Sequence, residues 1–152
     1  MMKVRLLGLW IAVALMPAFL VGCGNKNLGQ VSGTVTLDGE PLAEATLIFT
    51  PITGGRPAAA RTNSQGRYEL IYDREDSGAM LGEHVVEITT ADELVGEDDT
   101  VEKIAEKVPT EYNLDSKLRA TVKEGTQTFD FALKSGGEIM TEADSESESE
   151  GE

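Results

Sequence analysis

From Val31 onward, apolar and polar residues alternate in short segments, which turn-forming residues separate about every eight to twelve positions. A period of two places every second side chain on one face, which is typical of half-buried β-strands. The apolar positions of the predicted strands are Val31, Gly33, Val35 and Leu37; Ala45, Leu47 and Phe49; Tyr68, Leu70 and Tyr72; Val86 and Ile88; Leu118, Ala120 and Val122; and Phe129, Phe131 and Leu133. With a further strand in "AAART", 58–62, the pattern predicts seven strands in an antiparallel sandwich or barrel.

Turn residues set the boundaries of several predicted strands. Asp38-Gly39 supplies the positive φ angles of a tight hairpin, after which alternation resumes at Ala45. Pro51 ends that second strand, because proline has no main-chain N–H to donate to a neighbouring strand. In "NSQG", 63–66, the final glycine suits a left-handed turn position.

The segment from Ala91 to Asn113 interrupts the strand pattern. Within it, "TVEKIAEKV" at 100–108 predicts about two turns of helix, and Pro109 ends them. Connections of this length inside a compact domain usually have a function. This segment is therefore the first place to look for a binding surface.

The N-terminal segment has the pattern of a secretory signal. Lys3 and Arg5 precede an apolar run from Leu6 to Val21. The run has about 16 residues, which is short for a membrane span of roughly 20, and Pro17 interrupts it near its end. A cleaved signal is thus favoured over a membrane anchor.

The sequence Leu20-Val21-Gly22-Cys23, at the end of the apolar run, resembles the lipobox of bacterial lipoproteins. The resemblance implies that a diacylglycerol is attached to the Cys23 sulfur and that the signal is cut just before this residue. Each buried methylene contributes about 0.8 kcal/mol to membrane binding, so two or more chains give a stable anchor. It also implies localisation in the bacterial cell envelope, with Gly24 at the next position indicating the outer membrane rather than the inner one.

The predicted organisation has four parts. Residues 1–22 are a lipoprotein signal peptide, 23–29 a lipidated tether, 30–134 a β-sandwich and 135–152 a tail. The tail ends in "TEADSESESEGE", a Ser/Glu-rich sequence with no apolar residues to form a core, so we expect it to be disordered.

Charge and cysteine content exclude several classes of function. The formal net charge is -14, and no Lys/Arg cluster follows Arg5, so the chain lacks the basic surface that nucleic-acid binding requires. The single cysteine excludes an internal disulfide and a cysteine-based metal site.

The sequence offers little to build an active site. His84 is the only histidine, and it lies on a predicted strand, where we expect a half-exposed sheet residue rather than a catalytic base. The chain also has no His-Glu zinc motif, and no nucleophile elbow surrounds Ser32, Ser64, Ser77 or Ser116, so we expect neither a zinc site nor a nucleophilic triad. The sequence therefore predicts a protein that is not an enzyme and has no cofactor.

One acidic loop is a weak candidate for a cation site. Its carboxylates are hard oxygen ligands suited to calcium, but their spacing is unlike that of an EF-hand, and a solvated acidic loop is the simpler interpretation. The five residues are Asp92, Glu93, Glu97, Asp98 and Asp99.

The motifs "GQVSGTVTLDGEPLAEATLIFTP", "ARTNSQGRYEL", "GEHVVEITT", "VPTEYN" and "TFDFAL" resemble, in order, the carboxypeptidase regulatory-like, transthyretin-like domains of bacterial lipoproteins. The resemblance covers Gln30 to Leu133. It implies a seven-stranded, prealbumin-like or Ig-like sandwich that serves as a binding or structural module. The histidines and the Tyr-Arg-Gly-Ser ending of the enzymes with this fold, the hydroxyisourate hydrolases, are missing from this chain.

Three modes of action stay open at this point. The domain is a structural or binding module for an envelope protein, a module that recognises a carbohydrate or small ligand through the loop 91–113, or a unit that assembles through its sheet edges. For the second mode, Tyr72 and Tyr112 are the aromatic candidates. In each case the membrane, reached through the N-terminal lipid, is a partner.

Overall fold

The computed structural model describes residues 27–95 and 101–139, and within these ranges the chain is almost entirely β-structure. The strands are β1 (Leu28–Leu37), β2 (Glu40–Pro41), β3 (Thr46–Pro51), β4 (Ala58–Arg61), β5 (Arg67–Glu69), β6 (Ala79–Met80), β7 (Gly82–Thr89), β8 (Asp92–Val95), β9 (Val101–Ile104), β10 (Arg119–Val122), β11 (Thr126–Thr128) and β12 (Phe131–Leu133), with the 3₁₀ helix at Thr110–Tyr112.

The first sheet is organised around β1, its longest strand. On one side β1 pairs antiparallel with the short strands β6, β5 and β2, and on the other side it pairs parallel with β11 and β12. The sheet is therefore mixed, whereas the sequence predicted only antiparallel neighbours. The side chains of Val31 and Val35 point into the core, as their spacing predicted.

The second sheet has the strand order β10-β7-β3-β4, and its pairs are antiparallel. Its core face carries Leu47 and Phe49 from β3 and Val86 and Ile88 from β7, all fully buried. The Phe49 ring meets the rings of Tyr68, Phe129 and Phe131 from the other sheet at centroid distances of 6.1–6.5 Å. The two sheets thus pack face to face as a β-sandwich, which confirms the predicted fold class.

The predicted count of seven strands is wrong, because the structure adds the short strands β2, β6, β8 and β9 and has two strands, β11 and β12, near the end of the domain. The segment 126–133 forms two short strands, since Asp130 between them uses its side chain to pair with β1. The main-chain N–H and the hydroxyl of Thr34 both donate to Asp130 Oδ1 at 2.8 Å. The Asp130 side chain therefore provides the acceptor for the main-chain N–H of Thr34, while Phe129 N still donates to Ser32 O at 2.9 Å.

The Asp38-Gly39 turn forms as predicted, with φ angles of 53° and 91°. The hairpin it makes is only two residues long, because β1 pairs with β2 and the chain then crosses to the other sheet. A positive φ of 57° at Glu44 accompanies this crossing. The strand that starts near Ala45 therefore pairs with β4 and β7 and not with β1.

The helix predicted at 100–108 is wrong. Residues 101–104 form β9, which pairs antiparallel with β8 and places Val101 opposite Val95 and Ile104 opposite Asp92. β-Branched residues such as Val101 and Ile104 suit an extended strand better than a helix. The 3₁₀ helix at Thr110–Tyr112 begins after Pro109 and not before it.

The boundaries of the domain extend slightly beyond those predicted. Strand β1 starts at Leu28, inside the predicted tether. Residues 135–139, at the start of the predicted tail, contact the sandwich: Ser135 N donates to Asp38 Oδ1 at 3.1 Å, and Thr110 N donates to Glu138 O at 2.7 Å. The predicted signal peptide, Cys23 and residues 140–152 lie outside the described residues.

Candidate functional site

The only histidine lies inside the core and not half-exposed as predicted. His84 on β7 has no solvent-exposed surface, and its ring lies 6.0 Å from that of Phe49. Its parity explains this position, because His84 shares the inward face of β7 with Val86 and Ile88. A buried ring of this kind has no path to a substrate.

The hydrogen bonding of His84 defines its neutral form. Its Nδ1 lies 3.1 Å from the carbonyl oxygen of Gly82, which only accepts, so the geometry assigns the ring hydrogen to Nδ1. Its Nε2 is buried and meets no hydrogen-bond partner among residues 27–95 and 101–139. Burial lowers the pKa of His84, against a smaller opposing effect of the Gly82 contact.

A carboxylate that the sequence interpretation missed organises the long segment. The Oε1 atom of Glu106 accepts from Thr90 N and Val108 N at 2.9 Å each and from the Thr90 hydroxyl at 2.8 Å. Its Oε2 atom accepts from the Thr89 hydroxyl and, at 3.3 Å, from the Asn113 amide. This network ties the chain after β9 back to the end of β7.

The protonation of Glu106 follows from these contacts. Burial alone would raise the pKa of Glu106, but the hydrogen bonds from Thr89, Thr90 and Val108 outweigh burial and hold that pKa below its ordinary value. Glu106 is therefore ionised at neutral pH, and its oxygens are occupied by donors of the same chain. Its role is structural.

Beside this carboxylate lies an open groove of about 320 Å³ on the outer face of the second sheet. This volume lies at the lower end of the range for small-ligand sites. Leu114 is 65% exposed there, so the groove has an apolar wall that is accessible to solvent. The lining residues are Ile48, Glu87, Thr89, Ala91, Glu106, Asn113 and Leu114.

Neither predicted aromatic candidate lines this groove. Tyr72 packs against the core elsewhere, with the Arg56 guanidinium 5.7 Å from the centre of its ring. Tyr112 is partly buried, and its hydroxyl accepts from Lys134 N at 3.3 Å. Part of the segment 91–113 lines the groove, but the two tyrosines do not. An isolated glutamate in "IAEKV" has no sequence signal that separates it from an ordinary surface residue.

The acidic loop is only partly described. Asp92 Oδ2 forms an ion pair with the Arg61 guanidinium at 2.8 Å, and the same guanidinium pairs with Glu44 at 2.8 Å. Glu93 lies on β8, while Glu97, Asp98 and Asp99 lie outside the described residues. Within the described ranges, no group of three or more His, Cys, Asp or Glu side chains is arranged to hold a metal ion.

No helix in the described part of the chain is long and apolar enough to cross a membrane. No family model matches the chain, and no curated protein matches it. Among solved structures, the chain is similar to the crystal structure of a 9R-lipoxygenase from Cyanothece PCC8801, with 15% sequence identity and a TM-score of 0.41. The match covers 71% of this chain and 16% of that one, and a likeness this distant carries no functional information.

Proposed function

We propose that this chain is a lipid-anchored protein of the bacterial cell envelope whose β-sandwich serves as a binding or structural module without catalysis. One observation carries the proposal. The lipobox-like sequence ending at Cys23 follows a charged start and an apolar run, and the first strand of the folded domain begins only five positions later, at Leu28. A lipid on Cys23 would hold a compact domain directly at the membrane surface.

The non-catalytic part of the proposal is supported by the position of His84. General acid–base catalysis needs a side chain within hydrogen-bond reach of the substrate. The only histidine of the chain is fully buried, and Glu106, the most heavily hydrogen-bonded carboxylate of the long segment, has its oxygens occupied by the protein's own donors.

Intact mass spectrometry of the mature protein from bacterial membranes tests the anchor, with Cys23→Ser as the matched variant. We expect a chain that begins at residue 23 and carries a diacylglycerol and a further acyl chain, and we expect Cys23→Ser to keep its signal and lack the lipid. Separation of inner and outer membranes should place the wild-type protein in the outer one. An unmodified chain that begins elsewhere would contradict the proposal.

The groove beside Glu106 favours a second function, recognition of a carbohydrate or a small ligand. Its residues come from β3, β7 and the segment 91–114, and it presents both apolar and polar groups. A glycan array with the wild-type domain and Leu114→Arg, which would block the groove, tests this function. Ile71→Arg is the control, because Ile71 is 56% exposed and does not line the groove. Wild-type binding no higher than background would reject the carbohydrate version.

A further inference from the structure

The chain enters the sandwich at one defined end. Leu28 is the first residue of β1, and the carbonyl of Asn27 just before it accepts from Leu81 N at 3.1 Å. Five peptide steps separate Cys23 from Leu28, and a fully extended chain covers at most about 18 Å in that number of residues. A membrane to which Cys23 is anchored would therefore lie close to this end of the domain.

Strand pairing shows which loops share the end with Leu28. Met80 lies opposite Leu28, and Gln30 N donates to Gly125 O at 2.8 Å. The β3–β4 loop reaches the same end, since Ile52 N donates to the carbonyl of Glu83 at 3.0 Å at the start of β7. We call the loops 52–57, 71–78 and 123–125 the proximal loops.

The proximal loops carry side chains suited to a lipid headgroup layer. Ile52 is 53% exposed at the start of the β3–β4 connection. Arg56, in the same loop, lies over the ring of Tyr72, and Lys123 is exposed in the third loop. Amphipathic aromatic and long cationic side chains are the residues that favour the boundary between hydrocarbon and water.

Charge separates this end from the opposite one. The proximal loops contain three Lys or Arg and four Asp or Glu, so their charges nearly balance. The segments 38–44, 90–95 and 101–118, which leave the sandwich at the other end, contain nine Asp or Glu and three Lys or Arg. An anionic membrane surface repels such an acidic end, and the repulsion acts within a Debye length of about 8–10 Å.

The length of β1 keeps the two ends apart. Its ten residues span roughly 30 Å at about 3.3 Å per residue, and the Asp38-Gly39 turn lies at its far end. The groove beside Glu106 belongs to that far side, because it lies at the end of β7 and the start of β3. A bilayer contact at the proximal loops would hold the groove at a distance from the membrane.

We infer that the proximal loops are a membrane-contact surface, with Ile52 placed in the headgroup layer and the acidic end with its groove directed away from the bilayer. This inference rests on the proposed lipid anchor at Cys23. The partner is an anionic phospholipid surface, contacted by the exposed apolar residues Ile52 and Ile71 and by the cationic side chains of Arg56 and Lys123.

Site-specific fluorescence on the full-length lipidated protein tests the orientation. Ile52→Cys and Leu114→Cys place single new thiols at exposed apolar positions on opposite ends, while the Cys23 sulfur is already bound to lipid and does not react with the probe. Each labelled protein is reconstituted in vesicles of phosphatidylethanolamine and phosphatidylglycerol that contain a lipid with a nitroxide in its headgroup. Circular dichroism of both variants checks that the fold is kept.

We expect several-fold stronger quenching of the label at position 52 than of the label at position 114. Equal quenching at both positions, or stronger quenching at 114, would overturn the inference while leaving the anchor in place. Intact mass of the same samples separates the two failures, because a chain without acyl groups on Cys23 would overturn the anchor and the inference together.

Discussion

The hydroxyl of Tyr68 on β5 donates a 2.7 Å hydrogen bond to the main-chain carbonyl oxygen of Phe129, reaching across the central strand β1. The contact passes over Gly33, which lies opposite Tyr68 in the ladder. A Cβ at position 33 would stand 1.9 Å from the Phe129 oxygen and 3.0 Å from the Tyr68 ring. The absence of a side chain at Gly33 therefore allows β5 and the β11–β12 connection to meet above β1.

Gly33→Ala should destabilise the sandwich, because a methyl group cannot fit between a strand and a main-chain carbonyl without moving one of them. We expect a loss of about 2–3 kcal/mol in the free energy of unfolding, measured in urea. Ser32→Ala, at the neighbouring position on the other face of β1, is the control and should change stability by less than about 1 kcal/mol. A Gly33→Ala protein as stable as wild type would show that the Tyr68 contact is not tight in solution.

Glu106→Gln should lower stability, because the amide group has only one oxygen to accept the hydrogen bonds that the two carboxylate oxygens now accept. We expect a loss of about 2–3 kcal/mol, measured by chemical denaturation at pH 7. The matched control is Glu87→Gln, which removes a charge from the same groove without disturbing this network. Equal effects of the two substitutions would argue for a simple charge effect.

The wild-type domain should lose stability as the pH falls below about 6.5, the ordinary pKa of histidine. Burial lowers the pKa of His84 in the folded state. In this pH range His84 is therefore protonated in the unfolded chain but not in the folded chain, and protonation favours unfolding. The loss grows until the pH reaches the lowered pKa of the folded state.

Urea unfolding between pH 7.0 and 5.5 measures this dependence, with His84→Leu as the comparison. Most carboxylates titrate below this range, so the variant should show a much flatter profile than wild type. Parallel profiles for the two proteins would mean that His84 is protonated equally in the folded and unfolded states.

Two truncations separate the ordered start of the C-terminal segment from its Ser/Glu-rich end. Removal of residues 141–152 should leave the melting temperature nearly unchanged, because that sequence offers no apolar surface to bury. Removal of residues 135–152 also deletes the contacts of Ser135 with Asp38 and of Glu138 with Thr110, and should lower the melting temperature. A large effect of the shorter truncation would contradict the prediction of a disordered end.

Local pattern predicted much of the fold because a period of two assigns each strand residue to a face without reference to its neighbours. Val31 and Val35, Leu47 and Phe49, and Val86 and Ile88 are buried as their parity required. The Asp38-Gly39 turn is local in the same sense, since its φ angles depend on residue type. The same parity rule buried His84, which the sequence interpretation had placed half-exposed because of its residue type alone.

Less of the candidate site than of the fold could be predicted from the sequence. The sequence singled out the segment 91–113 for its length but did not indicate Glu106, whose donors on Thr89 and Thr90 lie more than a dozen positions earlier in the chain. Helix and strand also compete closely in a short charged segment, and the pairing of β9 with β8 decided between them.

The sequence by itself determined the fold class, the inward face of most strands, the main turns and the acidic character of the chain, because each depends on residue type and local spacing. Tertiary structure alone decided that β1 pairs in parallel with β11 and β12, that β3 leaves β1 for the other sheet, and that Glu106 and Leu114 come to line one groove. These arrangements depend on contacts between residues far apart in the chain, and the local spacing of residue types does not specify such contacts.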